Sequence, residues 1–441
     1  MSRRRRLRGL SGLILVLALF GVGLSVGMVR DQVGRAPTRT ARVAPSLGAQ
    51  ASPDQRAGQV QRLLDRRASA VRTGDRRAFL ATVDPAAATF RARQGDTFDA
   101  LSSVPIDQWD YRLDPTSEQE PDVALDARYG AGTWWGPGVE LGYTFTGVAG
   151  RPTRVQQHLT FVRRAGRWYV AAADDFAARG DRTPRQIWDA GPVLAVRRPG
   201  VLVLGHPGAA ELLTDVARRT AAAVPVVSSV WGQDWSRQAV VLVPASAEEM
   251  AALLDQPLDL SQIAAVATAE LRSGEPPAGE RILVNPDTFS ELGELGRRVV
   301  LTHELTHVAT RAATGPATPM WLAEGLADYV AYQGLDLSLS VTARELRADV
   351  RAGRVPDSLP SEDAFESGSA HLASAYEQAW LATRLLVEQQ GRDGFLTLYR
   401  SLGARRDVEP SRALEQTLQP AGTSTARFTA DWRAHLEQVL R

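Results

Sequence analysis

The chain has 441 residues and 51 basic against 50 acidic side chains, a formal charge of +1 that gives neither nucleic acid nor an acidic polymer a reason to bind. The absence of cysteine excludes disulfides, thiolate metal ligands, a cysteine nucleophile and a thiolate switch. Length and a 44% apolar content suffice for two domains with cores of their own. Lysine is absent as well, and an alanine-rich chain whose only long base is arginine has the composition of a GC-rich, actinobacterial type of genome.

Arg3, Arg4, Arg5, Arg6 and Arg8 precede an uncharged stretch, 9–29, closed by Arg30. Its 21 residues are enough to cross a bilayer as a helix. The arginines keep that end in the cytoplasm, so the rest of the chain is expected outside the cell membrane on a single-pass signal anchor. A cleaved signal peptide is the alternative, with Gly21, Gly23, Ser25 and Gly27 as the small residues that cleavage needs. Residues 31–53, with Pro37, Pro45 and Pro53 and no periodicity, read as a linker.

Residues 54–180 are expected to form a separate α+β domain. Val60, Leu63, Leu64, Ala68 and Val71 have helical spacing, and Gly74-Asp75 starts a second helix through Phe79 and Leu80. Strand-like runs follow at 122–127, 139–146, 154–162 and 168–173, the last two joined by a hairpin signal at 163–167. Helices first and a curved antiparallel sheet afterwards is similar to the NTF2-like (cystatin-like) cone. That resemblance concerns topology and implies an accessory domain. Such cones sometimes hold a pocket, which would give His158 or the pair Asp174-Asp175 a function. The plainer reading has His158 as one polar residue on a strand and the aspartates ending the sheet.

A second domain is expected over 190–441. Apolar runs at 201–204, 240–243, 263–268 and 281–284 alternate with helical segments at 209–223 and 247–254, which gives a small mixed sheet. His206, before Pro207-Gly208, reads as a turn histidine. Then come Val299 to Ala309, buried in character, with His303 and His307 four apart and Glu304 beside them. Residues so spaced share one face of a helix, so both imidazoles reach a single metal ion. This is the H-E-x-x-H pattern, in which the histidines bind zinc and the glutamate activates a water. Downstream, Thr318 and Pro319 give a helix start, a capping hydroxyl and a proline at the first helical position. Glu324 and Asp328 follow four apart, on a face shared with Met320, Trp321, Ala327 and Ala331. Two carboxylates in such surroundings need a counter-charge, because burying them unpaired is costly.

His303-Glu304-Leu305-Thr306-His307 with Glu324-Gly325-Leu326-Ala327-Asp328 resembles the zincin metallopeptidases of the gluzincin type, thermolysin-like in their active-site helices, and the peptidase MA-like domains of bacteria. The resemblance spans about 190–441. It implies a zinc peptidase with one Zn2+ per chain on His303, His307 and Glu324, Glu304 as general base, and Asp328 orienting a ligand histidine. It implies a peptide or protein as partner, paired with an edge strand at 263–268 or 281–284. It also implies a Tyr or His from the C-terminal lobe as oxyanion donor: Tyr376, or His371 five residues earlier. Polar, irregular 335–368, helical only around 342–351, is placed to cover the cleft. Helical runs are expected at 369–389, 395–402, 411–418 and 428–440.

The expected architecture is therefore α+β: a transmembrane helix, an NTF2-like cone, and a zincin-like domain with a small mixed sheet and a helical C-terminal lobe. The competing function is a cell-surface scaffold whose zincin half has lost activity. A third, catalysis by the cone, would need groups around His158. The sequence leaves oligomeric state, substrate and the choice between endo- and exopeptidase open.

Overall fold

The computed structural model describes residues 52–441 apart from 256–258, 271–277, 367 and 407. The membrane segment expected at 9–29, and nearly all of the linker, lie outside these residues. Among the described residues no helix is long and apolar enough to cross a membrane.

Helix α1 (Pro53–Thr73) opens on a capping box in which the Ser52 hydroxyl accepts from the Gln55 N–H and the Gln55 side chain answers the Ser52 N–H. Val60, Leu63, Leu64 and Ala68 form its buried face, and Gly74, at φ 68°, ends it in the left-handed region. Helices α2 (Arg76–Leu80) and α3 (Ala88–Leu101) lead to the long strand β1 (Ile106–Glu118). Its sequence signal is only the short alternation Trp109-Asp110-Tyr111-Arg112-Leu113, and Trp109 and Tyr111 alone are buried among Asp107, Asp110, Arg112 and Asp114.

The run at 122–127, expected as a strand, is helix α4 (Val123–Tyr129). The Asp122 carboxylate accepts from the Ala124 and Leu125 N–H groups, and this N-cap outweighs the β-propensity of a short apolar run. Strands β2 (Trp134–Trp135), β3 (Pro137–Phe145), β4 (Thr153–Gln157), β5 (Thr160–Arg164) and β6 (Arg167–Ala172) complete this part. The single strand expected at 154–162 is thus two, which break at His158-Leu159 and join different antiparallel sheets, β1-β3-β4 and β2-β5-β6. The hairpin at 163–167 forms as expected. Ala165 and Gly166 both have positive φ, 47° and 79°, which suits the twist of the paired strands.

The second part is built on a mixed sheet. Strands β7 (Leu194–Arg198) and β8 (Val201–Gly205) form a hairpin, and α5 (Ala210–Trp231) carries the chain to β9 (Ala239–Val243), parallel to β8. After α6 (Ala247–Leu254), β10 (Ala265–Glu270) and β11 (Ala278–Val284) form an antiparallel pair, with β11 also parallel to β9. The order β10-β11-β9-β8-β7 puts 281–284 in the interior, so of the two runs considered for substrate pairing only β10 is an edge.

Helices α7 (Pro286–Glu291), α8 (Glu294–Thr310), α9 (Met320–Ala331), α10 (Leu339–Thr342), α11 (Arg344–Arg351), α12 (Leu372–Gly403), α13 (Pro410–Leu418) and α14 (Thr425–Leu440) follow. Gly391, at φ 68° and ψ 163°, interrupts α12 and separates the two runs expected at 369–389 and 395–402. A continuous apolar core runs from Val60 through Trp109, Tyr143 and Trp188 to Val241, Leu305 and Leu440. The β3–β4 turn reinforces it: Arg197 donates to the Thr146 carbonyl at 3.0 Å, and the Ala149 N–H to Gln238 Oε1 at 2.5 Å.

His206 is a structural turn residue, as expected. Its Nδ1 lies 2.8 Å from the Pro192 carbonyl and its Nε2 2.8 Å from Glu249 Oε1. Both partners only accept, so the arrangement is fully made by an imidazolium. The Glu249 hydrogen bond raises the His206 pKa against the effect of burial. The resulting stabilisation is complete below the unfolded-state value of about 6.5 and is lost as pH rises through the higher folded value. His206→Ala should therefore lower the denaturant midpoint more at about pH 5.5 than at about pH 9; an equal loss at both would contradict this charge state.

Candidate metal centre

Helix α8 is buried at every residue from Val299 to Thr310 although half of them are polar, so those polar groups need partners inside the fold. Its threonines are satisfied along the helix: Thr302 donates to the Arg298 carbonyl and Thr306 to the Thr302 carbonyl, each at 2.8 Å. The start of α9 differs from expectation by one residue. Pro319 is the N-cap and Met320 the first helical residue, while the Thr318 hydroxyl accepts instead from the Gly315 N–H at 3.1 Å.

Packing of α8 against α9 brings the expected ligands together. His303 Nε2 lies 3.1 Å from Glu324 Oε2 and 3.0 Å from His307 Nε2, and the third side, His307 Nε2 to Glu324 Oε2, is 3.4 Å. All three side chains are buried. A tetrahedral ion with bonds of about 2.0–2.1 Å needs donors about 3.3 Å apart, so the triangle is of the size that zinc requires. A second observation supports the fit. Glu324 Oε1 and Glu304 Oε1 are buried with no hydrogen-bond partner, an expensive state for a carboxylate unless a cation or water meets it. Two neutral imidazoles and one carboxylate are a zinc donor set, and the residues present fit that ion.

Asp328 sits where the resemblance implies, its Oδ1 2.8 Å from His303 Nδ1. It fixes the ring so that Nε2 faces the other donors. Burial works against an imidazolium at His303, but Asp328 and Glu324 outweigh it and hold the pKa at about 10. His307 is pushed down by burial. Glu304 is pushed up by burial to about 8, while its Oε2 accepts from the Ala267 N–H of β10 at 2.6 Å.

The two candidates for the oxyanion donor separate. Tyr376 is buried on α12 with its ring 6.1 Å from that of His303. His371 is exposed at the N-cap of α12. Close packing of α9 on α12 brings Tyr376 there: a Cβ at Gly325 would stand 2.3 Å from the Ala379 carbonyl oxygen, so only glycine allows the approach. The segment expected to cover the cleft sends Phe365 edge-on against Tyr376, with centroids 5.3 Å apart.

Two residues to which the sequence reading gave no role belong to the site. Ala267 holds Glu304, and Arg311 donates from Nη2 to the Ala267 carbonyl at 3.0 Å. Arg311 lies seven residues after Glu304, two helical turns on, and that spacing was the available signal. The residues considered in the first part have structural partners. Asp175 accepts from Tyr129 at 2.9 Å and Thr160 at 2.7 Å, Asp174 accepts from Arg93 at 3.3 Å, and the His158 N–H donates to Thr183 at 2.9 Å.

No protein-family model matches the chain, and no curated protein does. Among solved structures, yeast LTA4 hydrolase in complex with bestatin is similar at 13% identity and a TM-score of 0.36, over 56% of this chain and 39% of that one. Native yeast LTA4 hydrolase gives 10% identity and 0.35, over 76% and 60%. A two-domain M1 zinc metallopeptidase bound to L-arginine gives 16% and 0.30, over 64% and 58%. The chain thus spans less than two thirds of these proteins' lengths. Scores so low transfer neither fold nor activity, and the metal site stands on its own geometry.

Full-length protein should contain about one zinc per chain by elemental analysis, and Glu324→Ala only a small fraction of it under the same dialysis. Equal zinc in both would remove Glu324 from the ligand set.

Proposed function

We propose that the chain is a zinc-dependent peptidase acting outside the cytoplasm. Residues 9–29 hold it at the membrane, 54–180 form an NTF2-like accessory domain, and 190–441 form the zincin domain. The observation that carries this reading is the convergence of three donor atoms beside two buried carboxylate oxygens that lack partners.

A zinc ion held by His303, His307 and Glu324 would supply Lewis acidity to a water and to a peptide carbonyl. Glu304 is the general base. The Ala267 N–H anchors its Oε2, which leaves Oε1 to take a proton from the attacking water and pass it to the leaving amine. Asp328 keeps Nδ1 of His303 protonated and the ring in place. Tyr376, packed on His303, is the donor for charge developing on the carbonyl oxygen. The substrate is an extended peptide or protein segment added to the edge of β10, on either side of Ala267, whose own two polar groups are already engaged. A scaffold without metal would carry the unpartnered carboxylate oxygens at roughly 1–3 kcal/mol each with nothing to offset them.

In a peptide-library digest of the zinc-loaded protein, Glu304→Gln should retain zinc and lose roughly 10²–10⁴-fold in kcat/KM. Tyr376→Phe should lose roughly 10²–10³-fold, mostly in kcat, while His371→Ala stays at the parent rate. Parent-like cleavage by Glu304→Gln would refute the assigned base.

A further inference from the structure

Glu304 and Arg311 project from the same side of one helix and close on the same residue. The Ala267 N–H donates to Glu304 Oε2 at 2.6 Å, and the Ala267 carbonyl accepts from Arg311 Nη2 at 3.0 Å. In an antiparallel pair the N–H and C=O of one residue point to the same side, alternating along the strand. Ala267, opposite Ile282 of β11, turns both groups outward to α8. The edge of β10 is therefore fastened to the helix by two hydrogen bonds at a single residue.

Arg311 suits this task in four respects. It continues the helical geometry of α8, with φ −48° and ψ −47°, so its direction follows that of the helix. It is only 6% exposed. Glu280 of β11, Glu304 and Glu324 balance its charge, so the guanidinium is held from the sheet side and the helix side at once. Its planar guanidinium presents Nη2 to the Ala267 carbonyl in a fixed direction, which an ammonium does not do. Without this bond the Ala267 carbonyl is a buried acceptor facing α8, and the strand edge is held to the helix by the Glu304 hydrogen bond alone.

We propose that Arg311 is a positioning residue for the general base: it fixes the Ala267 peptide, and through the Ala267 N–H it fixes Glu304 Oε2, so that Oε1 keeps one direction toward the attacking water. The proposal rests on the reading of Glu304 as that base. The side chain acts at one remove, through the Ala267 peptide. The same clamp removes Ala267 from the edge available to an incoming strand, so a peptide pairs with β10 at flanking residues and leaves the carboxylate anchor intact.

The test uses the full-length, zinc-loaded protein with Arg311→Met, which keeps length and loses the donors, and Arg311→Lys, which keeps one. Amide hydrogen exchange is measured on fragments covering β10, and steady-state kinetics on the best library peptide. The expected result for Arg311→Met is faster exchange in β10 with α9 unchanged, full zinc content, and a kcat lower by roughly 10²-fold, the scale of a misplaced reacting group, at unaltered KM. Arg311→Lys should recover part of both the protection and the rate. Unchanged β10 exchange in Arg311→Met overturns the proposal, as does a parent-like kcat. Loss of zinc, or equal failure of the Lys and Met variants with α9 also deprotected, shows a purely structural role and overturns it too. If the parent cleaves no peptide while Arg311→Met still loosens β10, the clamp stands and the peptidase reading falls.

Discussion

The interaction on which the site depends is the charge balance sealed between α8 and α9. Glu304, Glu324 and Asp328 bring three carboxylates into a space that also holds Arg311 and two imidazoles. One guanidinium and one divalent cation would neutralise these three carboxylates and leave both histidines neutral, as metal ligation requires, while Glu280 on the sheet side of Arg311 is pushed by burial to about 7. Without the ion, the same balance is reached by protons. His303 is held protonated, with a pKa of about 10, and burial raises Glu304 to about 8. Metal and protons would thus be alternative solutions to one electrostatic problem, and metal binding at such ligands is generally accompanied by proton release. The cost of unpaired buried charge explains why these side chains converge at all.

Backbone contacts rather than side-chain volume set the distances. Gly325 lets α9 rest directly on the Ala379 carbonyl of α12, and α8 is tied to β10 through Ala267. Any side chain at 325 would push the helices apart, at a cost of about 1–3 kcal/mol. Part of that movement would separate Tyr376 from His303. The donor triangle of 3.0–3.4 Å sides is therefore fixed by elements that touch without intervening atoms.

The metal site was legible because its chemistry is local. His303 and His307 share a helix face by spacing alone, and the apolar company of Glu324 and Asp328 signalled burial before any contact was known. The mixed sheet was legible for a similar reason: interior strands such as Val201–Gly205 and Ala239–Val243 read as continuous apolar runs. What escaped was non-local or nearly featureless. The role of Ala267 comes from its backbone, and an alanine carries no signal of that. Strand β1 buries only two side chains among its charges. Helix α4 was hidden because Asp122 reads as the start of a strand-like run, 122–127, until its cap bonds are seen. The break at His158 escaped because strand propensity is the same on both sides of a chain that changes sheets. Burial separates Tyr376 from His371, and it depends on how α12 meets α9.

The cover of the site and its oxyanion candidate are held by neighbouring residues of α12. Phe365 lies edge-on to Tyr376. The next residue, Glu377, accepts from the Glu345 N–H at 3.2 Å and the Leu346 N–H at 2.6 Å, and so caps α11 from another helix. Carboxylates at a helix N-terminus are favourable because the first N–H groups lack intrahelical partners. The segment from α11 to Phe365 is consequently anchored at both of its ends to one turn of α12. His303, Glu304 and Glu324 have no exposure in this arrangement, and the contacts of Phe365 and Glu377 oppose any movement of this segment. Such a movement must loosen Phe365 from Tyr376, strain the Glu377 cap, or do both. The position of this segment and that of the Tyr376 ring are in this way coupled through a single helical turn.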